Sequence, residues 1–178
     1  MAHPGPPDQH RAAAPSRVRV ALLTVSDTRT AATNEGGRLL RRLAEEAGLA
    51  VADEALLPDE PPALQARVGG WARDDRADAA VLTGGTGFGP RDRTPEAIAP
   101  LYDRRLPGFG ELFRWLSFQE IGAAAMLSRA EAGVVGRMAV FLLPGSPAAI
   151  DLAMRQLIIP ELPHLVGQLR AEAPVHRG

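Results

Sequence analysis

Residues 81–95, Val-Leu-Thr-Gly-Gly-Thr-Gly-Phe-Gly-Pro-Arg-Asp-Arg-Thr-Pro, constrain this chain more than any other stretch. The apolar run before them, residues 79–83, reads as a short strand that meets four glycines within six residues. Thr94-Pro95-Glu96 then reads as a helix start, with a hydroxyl N-cap, proline at the first helical position and an acid in the first turn. A strand, a glycine-rich turn and a helix start together make a place where backbone N–H groups approach an anion closely. Between glycines and helix sits Asp92, flanked by Arg91 and Arg93, so phosphate and a divalent metal are the guests this chemistry suits. Glycine clusters after strands are also ordinary tight turns, and the segment alone leaves both readings open. It lacks the Gly-Lys-Ser/Thr ending of a P-loop and the Gly-x-Gly-x-x-Gly spacing of a dinucleotide fold.

A chain of 178 residues is long enough for one well-cored domain and cramped for two. Net charge is −1, so there is no electrostatic footprint for nucleic acid or membrane binding. No apolar run has the length of a membrane span, and residues 1–16 lack the apolar region of a secretion signal. Cysteine is absent, which removes thiol catalysis, thiolate metal sites and disulfides, and points to a cytoplasmic protein. Lysine is absent too. A phosphate clamp must therefore use arginine or backbone amides, and Schiff-base chemistry is excluded.

Taken in order, residues 18–26 read as a near-continuous apolar strand covered on both faces, ending in Ser26-Asp27. Asn34 reads as the N-cap of a helix that carries Leu40, Leu43, Ala44 and Ala47 and ends at Gly48. A second strand, residues 49–57, runs into Asp59, either a rim carboxylate or a solvated turn acid like Glu60. A helix through Leu64, Val68 and Trp71 follows, and then the third strand with its glycines. Residues 109–118 hold half of the chain's eight aromatic side chains. Phe109, Leu112, Phe113 and Leu116 form one apolar face, while Trp115 and Phe118 fall on the other. A helix apolar on both sides predicts a subunit interface. Residues 138–143 are the last strong strand, entering Pro144-Gly145-Ser146-Pro147 with Ser146 as cap. The closing helix carries Ile150, Leu152, Met154 and Leu157, and a second apolar segment, residues 158–169, packs on the edge of the domain with His164 as a packed side chain. Strands alternating with helices predict a three-layer α/β sandwich, Rossmann-like, with a mostly parallel sheet flanked by helices. The polar strand ends at Asp27, Asp59 and residues 84–92 then gather on one rim, where ligands of open α/β sheets bind.

Five ordered motifs resemble one family. Leu82-Thr-Gly-Gly-Thr-Gly87, Arg91-Asp-Arg-Thr-Pro-Glu96, Pro107-Gly-Phe-Gly-Glu111, Leu127-Ser-Arg-Ala130 and Leu143-Pro-Gly-Ser146 look like the MoaB/Mog family of molybdenum cofactor biosynthesis. Thr24-Val-Ser-Asp27 and Leu57-Pro-Asp59 fall where its earlier motifs belong, and the segment at residues 117–122 is closer to the MoaB branch. The resemblance implies a single molybdopterin-binding domain over residues 17–170, with tails at 1–16 and 171–178. It implies a trimer, or a hexamer, and partners among other proteins of the pathway. It also implies Mg2+-ATP-dependent adenylylation of molybdopterin with release of pyrophosphate. The family's two functional aspartates map onto Asp59 and Asp92, as catalytic and metal-binding groups. A non-catalytic carrier or scaffold for the pterin is the alternative.

That chemistry needs alignment and charge neutralisation and no protein nucleophile. Asp59 and Asp92 would hold magnesium, and Arg91 and Arg93 would favour the ionised form of Asp92 by opposite charge nearby. The residues of the turn, Gly84, Gly85, Thr86 and Gly87, would hold nucleotide phosphate. Ser26, Asp27, Ser128, Gly145 and Ser146 are candidates for pterin or nucleotide contacts, and Glu111 reads as either a ligand contact or a structural acid.

Overall fold

The computed structural model describes residues 17–171. The expected tails, residues 1–16 and 171–178, lie outside the described residues but for Ala171. Six strands make one sheet: β1 (Arg19–Val25), β2 (Ala50–Leu57), β3 (Ala79–Thr83), β4 (Arg104–Arg105), β5 (Glu131–Val135) and β6 (Met138–Leu143), in the order β2-β1-β3-β6-β5-β4. β2, β1, β3 and β6 run parallel, with Val20 facing Ala79 across β1 and β3, and Ala79 facing Ala139 across β3 and β6. Their carboxyl ends therefore share one edge. β5 folds back antiparallel on β6, and the two residues of β4 pair with β5 as the last strand on that side of the sheet.

The strands read as continuous apolar runs because both faces are covered. On one side Val20, Leu22, Val81 and Phe141 pack with Leu40, Leu43, Phe113 and Ile150. Those side chains come from α1 (Glu35–Glu46), α4 (Pro107–Ile121) and α5 (Pro147–Ala153). On the other side Leu23, Leu82, Val140 and Leu142 meet Leu64, Val68, Trp71 and Ile98, from α2 (Pro61–Arg73) and α3 (Thr94–Ile98). Alternate residues of one strand thus belong to different cores. This is the expected three-layer α/β sandwich.

Local signals hold at most boundaries. Asn34 accepts a hydrogen bond from the Gly37 N–H at 2.9 Å, and Gly48 follows α1 with φ +75°. Ser146 caps α5 by accepting from Ala149 N–H at 3.3 Å. Ala47 departs from its predicted place on the apolar face of α1 and is exposed, one residue beyond the helix end.

Two expectations change. The apolar segments after Pro147 form one continuous rod, in which a π turn (Met154–Ile158) joins α5 to α6 (Ile159–Arg170). Pro160 has no N–H to offer the carbonyl of Gln156 and its ring crowds that carbonyl; a widened turn ahead of it accommodates both. On α4, Phe109 and Phe113 are buried but Leu112 remains 52% exposed, beside Trp115, Phe118 and Ile121 at 56–60%. The inward face is narrower than its spacing predicts and the outward apolar stripe is wider. His164 is partly buried and shares hydrogen bonds with Glu161 and Gln168, as a packed residue does.

Candidate functional site

The rim is built by four strands ending together. β3 gives way to Gly84 and Gly85, and both turns require glycine. Gly84 has φ +104° and a Cβ there would stand 2.1 Å from the carbonyl oxygen of Val25 at the end of β1. Gly85 has φ +61° and its Cβ would stand 2.1 Å from Asp59 Oδ2 and 2.2 Å from Thr94 Oγ1. The Gly84 N–H donates to the Leu143 carbonyl at 3.0 Å, and the Thr83 hydroxyl donates to Pro144 O at 2.9 Å, so the glycine turn and the Pro144–Ser146 turn are sewn together.

Asp59 lies beneath this turn, 4% exposed. Its Oδ2 accepts from the Arg93 N–H at 2.8 Å and from the Thr94 hydroxyl at 3.4 Å, while Oδ1 is buried with no partner. Burial pushes the Asp59 carboxyl above its ordinary value; the two donors oppose that, and the charges of Asp27 and Asp92 add to it. A buried carboxylate with one empty oxygen, raised in pKa, is the kind of group that sites of chemistry collect. The alternative of a solvated turn acid belongs to Glu60 instead, which is exposed and pairs with Arg91 at 2.8 Å.

Thr94 is not the helix cap that its position predicts. The cap is Arg93, and the Thr94 hydroxyl, fully buried, turns to Asp59. A buried carboxylate needs donors more than the helix end needs a side chain. Arg91 likewise does not serve Asp92: it donates to Asp27 at 2.9 and 3.2 Å and to Glu60. The Arg91 guanidinium, helped by the Asp59 N–H at 3.0 Å, holds the Asp27 carboxyl below its ordinary value. Asp92 is oriented from within its own loop, Oδ2 accepting from Gly89 N–H at 2.9 Å.

Gly84, Gly85, Thr86, Gly87, Asp92, Ser128, Gly145 and Ser146 line one cavity of about 460 Å³. Its far wall is apolar, from Phe113, Ile121 and Leu127, with the Ser117 side chain among them. Ser26, Asp27 and Asp59 do not line this cavity; Asp59 lies beneath the glycine turn that does. Ser26 Oγ accepts from the N–H groups of Thr28 and Arg29, and Asp27 reaches the site through Asp59. Glu111 lines a separate cavity of about 470 Å³ with Arg105, Arg114 and Arg129.

These features can be set beside known proteins. A family model described as a probable molybdopterin binding domain matches residues 21–164. Molybdenum cofactor biosynthesis protein B of Bacillus subtilis (strain 168) is 50% identical over 165 residues, 92% of this chain and 97% of that protein. The chain belongs to the MoaB/Mog family. A crystal structure of a Molybdenum cofactor biosynthesis protein B superposes with TM-score 0.84 at 44% identity, covering 88% of this chain and 98% of that one. The tungsten cofactor synthesizing protein MoaB of Pyrococcus furiosus superposes at 0.79 with 32% identity, covering 89% and 100%. This MoaB/Mog chain has no helix, among the described residues, long and apolar enough to cross a membrane.

One residue of the MoaB/Mog rim escapes sequence reasoning. Arg129 donates to the Thr86 carbonyl at 3.2 Å and to the Asp92 carbonyl at 2.8 Å, and forms a close ion pair with Glu96. It spans the glycine loop from one end to the other. The only signal was its place in Leu-Ser-Arg-Ala, beside the Ser128 already singled out.

Proposed function

We propose that this MoaB/Mog member is a molybdopterin adenylyltransferase of the cytoplasm, using ATP with magnesium. The observation that carries the reading is the buried Asp59 with its empty Oδ1, joined through the glycine turn to the loop that presents Asp92. In the reaction the terminal phosphate oxygen of molybdopterin attacks the α-phosphorus of ATP. A new P–O bond forms, the bond to the bridging oxygen breaks, and pyrophosphate leaves.

Magnesium suits the donors present. Among the described residues no three acidic or histidine side chains converge as a closed metal cage. An ion held by one or two carboxylates and completed by phosphate oxygens and water needs none. Asp59 and Asp92 are the residues to hold it, and when bound it would neutralise charge on the phosphates. The chain's own part is orientation. Gly85, Thr86 and Gly87 offer backbone N–H groups at the strand end, while Gly84, its N–H held by Leu143, makes the turn itself, and Phe113, Ile121 and Leu127 give the cavity an apolar side. Ser128, Gly145 and Ser146 supply polar edges for the pterin or nucleotide, and Asp27 supports Asp59 from behind by accepting its backbone N–H. The exposed stripe of Leu112, Trp115, Phe118 and Ile121 supports self-association through this face; a trimer or hexamer, and partners among other proteins of the pathway, are what the family resemblance implies.

Single-turnover transfer tests the reading. Purified protein with molybdopterin, ATP and magnesium is expected to yield pyrophosphate and adenylylated pterin in equal amounts. Asp92→Ala is expected to lower the rate at least about a hundredfold with the fold intact by circular dichroism. Tight pterin binding with no product would replace the enzyme by a carrier.

A further inference from the structure

The glycine loop, residues 84–92, carries one large apolar side chain, Phe88. It is 71% exposed and lies outside the lining of the 460 Å³ cavity. A phenyl ring in that place gains little from hydrophobic burial, and the core gains nothing from it. Yet it is held. The Arg129 guanidinium carbon stands over the ring, 5.2 Å from its centroid, and Arg129 is itself fixed by Thr86, Asp92 and Glu96. The backbone beneath the ring is a closed turn, with the Asp92 N–H donating to Gly89 O at 3.0 Å and the Gly89 N–H to Asp92 Oδ2. A cation over an aromatic ring fixes the ring's plane, and the ring is otherwise left largely to solvent. The result is a positioned π surface next to backbone amides that suit phosphate.

We propose that Phe88 is the stacking platform for the base of the nucleotide, and so a specificity residue that separates ATP from base-free polyphosphate. The inference rests on the nucleotide reading above. Stacking on one ring tolerates any base, since every base has a π face, so Phe88 selects for the presence of a base and not for adenine over guanine. The pterin is assigned to the 460 Å³ cavity, whose lining residues Phe113, Ile121 and Leu127 are separate from Phe88.

The test is calorimetric binding to the full chain of either ATP or inorganic tripolyphosphate, each with magnesium chloride. Phe88→Ala is expected to weaken ATP binding about tenfold and to leave tripolyphosphate within about twofold, while Phe88→Trp restores ATP affinity. Equal loss for both ligands would mean that the ring merely shapes the loop, and no loss for either would mean that it is idle; each overturns the proposal. Loss of molybdopterin binding with ATP unchanged assigns the ring to the pterin and overturns it too. A changed sedimentation coefficient in Phe88→Ala without loss of ATP binding makes the ring a subunit contact, again against the proposal. If the unmodified protein binds no ATP, the adenylyltransferase reading itself falls, a result distinct from all the others.

Discussion

Asp59 shows at the scale of one residue how function and stability pull apart. Its carboxyl is buried, one oxygen is unpaired, and two further carboxylates stand near, so the ionised form is costly in the folded chain. A folded-state pKa raised above the unfolded value of about 3.9 gives stability that is fully present below that value and is lost as pH rises through the folded pKa. Asp59→Asn removes this loss while keeping an acceptor for Arg93 and Thr94. It is expected to raise Tm at pH 7, measured by scanning calorimetry, with the gain shrinking as the pH approaches about 4. Adenylyl transfer should fall at least about a hundredfold in the same variant. A Tm unchanged at pH 7 would mean that Asp59 is no strain on the fold.

At the scale of elements, the rim is a set of turns held by side chains from distant positions. Arg129 closes the glycine loop by bridging the carbonyls of Thr86 and Asp92, and α3 adds Glu96 behind it. The guanidinium can span two carbonyls and a carboxylate because it offers donors in a planar fork, whereas an ammonium is a single point. Arg129→Lys is therefore expected to speed amide hydrogen exchange across residues 84–92 and to lower turnover, leaving exchange in β1, β3 and β6 unchanged. Loop exchange equal to that of the unmodified chain would show that the glycine turn holds itself. The outward stripe of α4 is the second element-scale feature. Trp115→Glu places a charge on an already solvent-facing position of the isolated chain, so it should preserve the fold while shifting sedimentation towards monomer. An unchanged assembly would move the interface elsewhere.

Over the whole molecule, the two edges of the sheet do different work. The carboxyl edge holds the candidate site and its costly Asp59. The amino edge is stapled by Asp78, 4% exposed, which accepts from Arg19 N–H at 2.7 Å and pairs with the side chains of Arg19 and Arg170. Arg170 ends α6, so this cluster ties the last helix to the beginning of β3. Burial alone would raise the Asp78 carboxyl, but the hydrogen bonds from Arg19 and Arg170 outweigh it and hold the group below its ordinary value. A depressed folded pKa gives stability present above the unfolded value of about 3.9 and lost as pH falls through the folded one. Asp78→Asn should cost about 2 kcal/mol in denaturant unfolding at pH 7, with the difference from the unmodified chain closing at acid pH below about 3. A difference that persists undiminished there would make the effect one of packing and not of charge.

Much of this was legible from residue order. Unbroken apolar runs such as residues 18–25 announced strands covered on both faces, and Asn34, Gly48 and Ser146 announced helix ends, because these signals act within a few residues of the chain. The same order led to Gly84–Gly87, Asp59 and Asp92 as candidates, since a strand running into glycines or a carboxylate is a local pattern. Tertiary structure decided what each group touches. It turned Thr94 from a helix end to Asp59, and Arg91 from Asp92 to Asp27 and Glu60. It brought Arg129 onto the glycine loop, kept Ser26, Asp27 and Asp59 out of the cavity lining, and left Leu112 outside the core. The reason is reach: a cap or a turn is satisfied by neighbours in sequence, whereas a buried carboxylate or an unpaired carbonyl takes its donors from whichever strand end the sheet sets beside it.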